Sequence, residues 1–100
     1  MPLMRWNKNT VWQNYSAVAG ETSPEVEVSK VQTLLIYVQV SAATTITLQV
    51  DTVNGMKDYD TMTFTGAGYD WWNILSLPAD LIRFQTSNAA TITIDVMYKT

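Results

Sequence analysis

The sequence LIYVQVSAATTITLQV at residues 35–50 is repeated with substitutions as LIRFQTSNAATITIDV at residues 81–96. Nine of the sixteen positions are identical at a constant offset of 46 residues. Each copy has an alternating apolar run, a break of small residues and a second alternating run, the pattern of a two-stranded antiparallel hairpin. Because the offset is even, both copies keep the same positions facing the core. We therefore expect a β protein built around two equivalent hairpins.

Shorter strand patterns lie outside the two copies. Residues 10–18 are rich in β-branched and aromatic side chains, and residues 25–29 alternate valine with polar residues. The dipeptide Asn54-Gly55 predicts a hairpin with a type I′ turn, which needs positive φ at both central residues, and therefore a further strand at residues 58–65. Seven to eight short strands with no helix-period stretch indicate an all-β fold, an antiparallel β-sandwich that is jelly-roll-like with an internally repeated hairpin. Jelly-roll and immunoglobulin-like connectivity both remain open.

The chain is long enough for one domain. One hundred residues can bury about two thirds of the surface that the unfolded chain exposes, and 47% of them are hydrophobic. We expect an extended N-terminal arm at residues 1–9 and a single β-sandwich domain at residues 10–100. The arm carries Leu3, Met4 and Trp6. Packing back over the chain's own core and docking on a neighbouring molecule both account for apolar residues there.

Charge and hydropathy exclude several function classes. Charged residues make up only 15% of the chain, less than the usual quarter or so, which suggests that part of the surface is covered by another chain. The net charge of −3 and the scattered basic residues argue against nucleic-acid binding. No apolar run approaches the length of a membrane span, and the N-terminus lacks a signal-peptide core, so we expect neither membrane association nor export by the general secretory route.

Few residues are suited to catalysis or metal binding. The chain has no histidine and no cysteine, and so lacks the commonest general base and the thiolate metal ligands. Glu25 and Glu27 are better explained as a solvated strand face than as an acid–base pair. Oxygen ligands that could suit calcium gather near one turn, at Asp51, Asn54, Asp58 and Asp60, but their spacing does not match the EF-hand loop. We expect no enzyme activity, no cofactor and no metal site.

The aromatic stretch at residues 69–73, YDWWN, is the strongest candidate contact. Adjacent strand residues face opposite ways, so Trp71 and Trp72 cannot both lie in the core. The exposed tryptophan could cover a sheet edge, contact a protein partner or stack on a sugar beside Asp70 and Asn73.

Arg83 lies on the outward face of the second copy, where it is either solvated or part of an interface. The protein-contact candidates are therefore Leu3, Met4, Trp6, Tyr69, Trp71, Trp72 and Arg83.

Several short segments within residues 31–99 resemble those of a known class of proteins. These are the turn from Val50-Asp51 to Gly55, the pair Tyr59-Asp60, the run LPADLIRF at residues 77–84 and the ending SNAATITIDV at residues 87–96. Together they resemble small β-sandwich (jelly-roll-like) virion proteins of tailed phages and other double-stranded DNA viruses. The resemblance implies a decoration, cement or minor capsid protein, commonly a homotrimer seated between major capsid subunits.

The sequence thus leads to two function hypotheses. The first is a non-enzymatic structural virion protein that binds and stabilises a viral capsid, with the major capsid protein or another virion protein as partner and a homo-oligomer, favouring a trimer, as its assembly state. The alternative is a carbohydrate-binding or adhesion β-sandwich module that stacks sugars on Tyr69, Trp71 and Trp72.

Overall fold

The computed structural model describes residues 6–28, 33–77 and 79–99. Eight strands account for most of them: β1 (Trp6–Ala17), β2 (Val26–Glu27), β3 (Thr33–Val40), β4 (Thr44–Thr52), β5 (Gly55–Phe64), β6 (Gly68–Ile74), β7 (Leu81–Thr86) and β8 (Ala90–Lys99). Among these described residues there is no helix long and apolar enough to cross a bilayer. The all-β prediction is confirmed.

The strands form two antiparallel four-stranded sheets. The first sheet has the order β1-β8-β3-β6 and the second sheet has the order β2-β7-β4-β5. The pairs β1–β8, β2–β7, β3–β6 and β4–β5 are nested, as if one long antiparallel ribbon had been wrapped around the core. This is the eight-stranded jelly-roll connectivity, with two interlocked Greek keys, and it decides between the two connectivities that the sequence left open.

The repeated segments are not hairpins, contrary to the sequence prediction. The first copy supplies β3 and β4 and the second supplies β7 and β8, but in each case the two strands lie in different sheets. The small residues at 41–43 and 87–89 carry the chain across the sandwich. Alternation fixes which side chains point inward but not which strand is the hydrogen-bonding partner, so the same pattern suits a hairpin and a crossing between sheets.

The two copies pair with each other instead. Strand β3 pairs with β8 in the first sheet, and β4 pairs with β7 in the second. Ile36 lies opposite Val96, and Val50 lies opposite Ile82. In the repeat, Ile36 corresponds to Ile82 and Val50 corresponds to Val96, so the two pairs are equivalent. The repeat therefore creates a pseudo-twofold relation between the central strands of the two sheets.

The core is formed by the inward faces of these central strands. Nine apolar residues have no exposed surface: Ile36, Val38, Ile46, Leu48, Ile82, Phe84, Ile92, Ile94 and Val96. Thr44 and Thr86 are buried beside them, one at the start of β4 and the other at the end of β7, with their hydroxyls 2.7 Å apart. That hydrogen bond offsets the cost of burying two polar groups where the chain crosses between sheets.

Strand β1 begins inside the stretch expected to be an arm. Residues 6–9 pair with β8 as the first part of β1, starting with Trp6 opposite Lys99. Two register shifts, one on each side of Trp12, interrupt the alternation farther along the strand. As a result Trp12 and Ala17 are both buried, although they are five positions apart and would face opposite sides of a regular strand.

The Asn54-Gly55 hairpin is confirmed, but its turn differs from the predicted type. Thr52 pairs with Gly55, so Val53 and Asn54 are the two central residues of the turn. Gly55 has a φ of 92°, whereas Asn14, with a φ of 47°, is the one described non-glycine residue with positive φ. Asn54 therefore does not adopt the type I′ conformation. Glycine with positive φ directly after a two-residue turn is typical of a type I turn with a G1 bulge.

Candidate binding face on the first sheet

The tryptophan pair on β6 divides between core and surface, as the alternation predicts. Trp72 is 8% exposed and stacks on Phe84 with ring centroids 6.1 Å apart. Its indole Nε1–H donates a hydrogen bond to Asp60 Oδ2 at 3.0 Å. Trp71 is 45% exposed on the outer face of the first sheet. Of the two contact candidates, Trp71 is the one that a partner or ligand can reach.

Trp71 belongs to a cluster of three rings. Tyr37 on β3 lies directly opposite Trp71 in the β3–β6 pairing, and Gln39 lies opposite Tyr69. The centroid of the Tyr37 ring is 4.8 Å from that of Trp71 and 5.9 Å from that of Tyr69. The shorter distance is about the spacing between neighbouring strands. We call Tyr37, Tyr69 and Trp71 the aromatic platform.

The rings of the platform are tilted relative to one another. The plane of Tyr37 makes an angle of 57° with that of Trp71 and 37° with that of Tyr69. Tyr69 is 66% exposed, whereas Tyr37 is half-buried between Trp71 and its other neighbours on the sheet. The three rings therefore do not form one flat surface.

Polar groups surround the platform. The Tyr37 hydroxyl donates to Gln39 Oε1 at 2.6 Å, which fixes the orientation of both side chains. The backbone N–H of Trp71 donates to Asp70 Oδ1 at 2.8 Å and so caps one donor on the open edge of the sheet. On the other side of Tyr37, Asp95 of β8 lies opposite it in the pairing. Its Oδ1 atom is buried and has no hydrogen-bond partner among the described residues.

The sign of the local charge is negative. Strands β3 and β6 contain no lysine or arginine, and β8 has only Lys99 at its last position. Asp95, opposite Tyr37, is the charged residue that shares the outer face with the rings, whereas Asp70, opposite the buried Val38, belongs to the other face. The platform is an aromatic surface with amide and carboxylate groups around it.

Arg83 lies on the opposite side of the molecule from the platform. It is half-buried on the outer face of the second sheet, where its Nε donates to Gln49 Oε1 at 2.7 Å. Gln49 in turn donates from Nε2 to Asp58 Oδ1 at 2.9 Å. This network holds the Arg83 side chain against its own sheet, so the structure does not bring it together with Trp71.

The arm candidates are only partly described. Leu3 and Met4 lie outside the described residues, and for Trp6 the structure gives the backbone pairing of β1 alone. The end of the sandwich at which β1 begins, which we call the Trp6 end, also carries two exposed apolar side chains. Val53 in the β4–β5 turn is 100% exposed, and Leu75 after β6 is 74% exposed.

The acidic residues proposed as calcium ligands each have their own protein partners. Asp51 Oδ1 accepts the backbone N–H groups of Asp80 and Leu81, both at 2.9 Å. Asp60 accepts the Thr61 N–H in addition to the Trp72 indole. No group of three or more acidic side chains is placed to hold a metal ion within residues 6–28, 33–77 and 79–99.

One pair of titratable groups interacts strongly. The Tyr15 hydroxyl donates to Glu21 Oε2, and the Val18 N–H donates to Glu21 Oε1 at 3.0 Å. The hydrogen bond from Tyr15, assisted by that from Val18, holds the pKa of Glu21 below its usual value. The same bond to Glu21 raises the pKa of Tyr15. The pair fastens the loop after β1 to the strand.

Sequence analysis missed two members of the site, Tyr37 and Asp95. Alternation already places Tyr37 outward, because Ile36 and Val38 face the core. Its neighbours Trp71 and Asp95 are brought there by pairing with strands that lie far along the chain. The platform forms because β3 pairs with β6 on one side and with β8 on the other. A hairpin between β3 and β4 would have occupied one of these two sides.

Comparison with known proteins shows which fold this is. No protein-family model matches the chain, and no curated protein matches it. Among solved structures, the SPBc2 prophage-derived protein YomS is similar over 100% of this chain and 97% of its own, with a TM-score of 0.74 and 11% identity. A family 29 carbohydrate-binding module is similar over 96% of this chain and 87% of its own, with a TM-score of 0.56 and 13% identity. A chain of Bacillus endospore appendages, which form disulfide-linked pili, is similar over 98% of this chain and 91% of its own, with a TM-score of 0.51 and 11% identity. At these identities, the likenesses establish a shared β-sandwich fold.

Proposed function

We propose that this chain is a non-enzymatic structural protein of a phage-like virion, which binds the outside of the capsid and stabilises it as a decoration, cement or minor capsid protein. The observation that carries the proposal is the likeness in fold to a prophage-derived protein, which extends over 100% of this chain and 97% of that protein. The low charge content of 15% supports it, because a surface covered by other subunits needs less charge than a free one. The partner is the major capsid protein or another virion protein, and the chain acts as a homo-oligomer, with a trimer favoured.

The Trp6 end is the surface best suited to contact the particle. Val53 and Leu75 expose aliphatic side chains there, and the N-terminal segment that bears Leu3 and Met4 joins the sandwich at Trp6. Apolar side chains exposed together are typical of a surface that another protein covers. Many copies bound around a particle would multiply a modest affinity at each site through avidity.

The test uses particles assembled without the chain, to which the purified chain is added. Electron microscopy should show it at fixed positions on the outer capsid, and bound particles should resist heating better than bare ones. The double variant Val53→Asp, Leu75→Asp should bind more weakly, because two carboxylates would have to be desolvated in the contact. Val18→Asp is the matched control, since Val18 is exposed at the opposite end of the sandwich.

Two results together would refute this function. The chain would be found at no position on the particle, and particles with and without it would lose their integrity at the same temperature. Equal binding by the double variant and by Val18→Asp would instead refute the Trp6 end as the contact and leave the virion function standing.

A second function, carbohydrate binding or adhesion, is favoured by one specific observation. The aromatic platform exposes the rings of Tyr69 and Trp71 beside the half-buried ring of Tyr37, among amide and carboxylate groups on a sheet face. Family 29 carbohydrate-binding modules share the fold. The two functions are compatible, because the platform and the Trp6 end are different surfaces of one sandwich.

A further inference from the structure

We infer that the aromatic platform binds a neutral pyranose glycan, stacked on Trp71, and discriminates against acidic glycans. The inference rests on the second function proposed above and specifies its ligand class. It involves no covalent step and no catalysis.

Ring stacking supplies the first part of the argument. One face of a pyranose ring carries C–H groups with a small positive charge, whereas the face of an aromatic ring is electron-rich. Trp71 offers the largest exposed ring of the platform, and Tyr37 stands beside it at a centroid distance of 4.8 Å and an angle of 57°. A small puckered ring can lie against the indole while its edge meets Tyr37.

Hydrogen bonding supplies the second part. A pyranose carries a rim of hydroxyls that both donate and accept, so its site needs polar groups at the border of the rings. Gln39 Oε1 accepts the Tyr37 hydroxyl at 2.6 Å, which leaves the amide N–H groups of Gln39 as donors toward a ligand. Asn73, exposed and two residues after Trp71, adds a second amide on the same face. Gln39 and Asn73 therefore stand on opposite sides of the Tyr37–Trp71 pair.

Charge supplies the third part and selects the class of sugar. Strands β3 and β6, which carry the platform and both amides, have no basic residue. Asp95 lies opposite Tyr37 on the same outer face, whereas Asp70, opposite the buried Val38, belongs to the other face of the edge strand. A glycan that bears carboxylates or sulfates would meet the Asp95 carboxylate with no cation beside the rings, because Lys8, which is exposed on the same face, lies on β1 at the far edge of the sheet. A neutral glycan meets no such repulsion.

The experiment is a titration of the full chain, followed by tryptophan fluorescence and calorimetry. The probes are neutral hexasaccharides of glucose, mannose and galactose, and an acidic hexasaccharide of galacturonate. We expect at least one neutral probe to bind, and the galacturonate probe to bind at least about tenfold more weakly. Asp95→Asn should reduce this difference in affinity between the neutral and acidic probes, because it removes the carboxylate that lies opposite Tyr37 on the platform face.

Matched variants locate the site. Trp71→Ala should weaken binding of the neutral probe at least about tenfold, and Tyr69→Ala should weaken it less. Tyr59→Ala should leave it unchanged, since Tyr59 is a comparably exposed aromatic residue, at 49%, on β5 of the second sheet. Circular dichroism of each variant checks that the sandwich is intact. If Trp71→Ala disturbs the fold, Tyr69→Ala becomes the deciding variant.

The possible outcomes distinguish selectivity for neutral glycans from carbohydrate binding itself. Equal binding of neutral and acidic probes overturns the selectivity and leaves carbohydrate binding intact. No binding of any probe overturns both. Loss of binding in Tyr59→Ala but not in Trp71→Ala overturns the location. If no sugar binds and Trp71→Ala instead reduces attachment to particles, the platform is a protein contact, which refutes the inference and supports the virion function.

Discussion

Replacing each of the two adjacent tryptophans of β6 by alanine tests how the strand divides between core and surface. Trp72 is 8% exposed, stacks on Phe84 and donates its indole N–H to Asp60. Truncating a buried aromatic side chain to alanine costs about 3–5 kcal/mol, because transfer energy is lost and a cavity remains. The stability of a domain of this size is about 5–15 kcal/mol. Trp72→Ala should therefore remove a large part of the free energy of unfolding.

Trp71→Ala should cost much less. Trp71 is 45% exposed, and its main recorded contact is the tilted ring of Tyr37. An aromatic pair of this kind contributes about 0.5–1.5 kcal/mol. Since 1 kcal/mol shifts the melting temperature of a domain of this length by about 4–8 °C, the two variants should melt well apart, with Trp72→Ala the lower by about 10 °C or more.

Trp72→Phe separates packing from hydrogen bonding. It keeps a ring against Phe84 but removes the donor to Asp60, so we expect a loss of about 1 kcal/mol for the bond plus a smaller packing cost. Asp60 is exposed and remains hydrated without the indole.

The assay is urea unfolding followed by far-ultraviolet circular dichroism, which does not depend on the tryptophans that are removed, with the m-value compared across variants. Losses of unfolding free energy that differ by less than about 1 kcal/mol between Trp71→Ala and Trp72→Ala would refute the reasoning.

Three further predictions concern single residues. Asp95→Thr should raise the free energy of unfolding by about 1 kcal/mol, because it removes a buried acceptor without a partner and places a good strand former on β8; a loss of stability in urea would contradict this. Gly55→Ala should cost about 1–2 kcal/mol because its φ is 92°, whereas Gly66→Ala, at a position with no positive φ and open space around the added Cβ, should be close to neutral in a thermal melt. Tyr15→Phe should change the pH dependence of the melting temperature. The lowered pKa of Glu21 contributes stability above its usual pKa of 4.5 that is lost as pH falls through the folded value, and the raised pKa of Tyr15 contributes stability below its usual pKa of 10.0 that is lost as pH rises through the folded value. The melting temperature of the native chain should therefore exceed that of Tyr15→Phe most at pH values between 4.5 and 10.0, and by less at lower and higher pH. A difference in melting temperature that does not vary with pH would contradict a stabilising Tyr15–Glu21 interaction.

Local rules predicted the parts of this protein that depend on neighbouring residues. Alternation indicated the inward faces of β3, β4, β7 and β8. It also indicated that Trp71 and Trp72 cannot both lie in the core. Glycine after asparagine marked the β4–β5 hairpin, although the positive φ falls on Gly55 and not on Asn54. These features follow from strand geometry and turn chemistry, which act over a few residues.

The partners of each strand depend on residues far apart in the chain. The small residues at 41–43 permit a tight hairpin as well as a crossing between sheets, and both bury the same side chains. What selects the crossing is the whole set of pairings, in which β4 is already held by β5 on one side and by β7 on the other. No local signal in β3 or β4 carries that information.

The sequence by itself thus determined the β-sandwich fold class, the inward faces of its central strands and an exposed aromatic residue in the stretch after Gly68. Only the tertiary structure decided that the repeats are crossings related by a pseudo-twofold axis, that Arg83 faces away from Trp71, and that Tyr37 and Asp95 join the aromatic surface. The physical reason is that side-chain alternation is a property of each strand, whereas a binding face belongs to a sheet, and the order of strands in a sheet is set by hydrogen-bond partners far away in the chain.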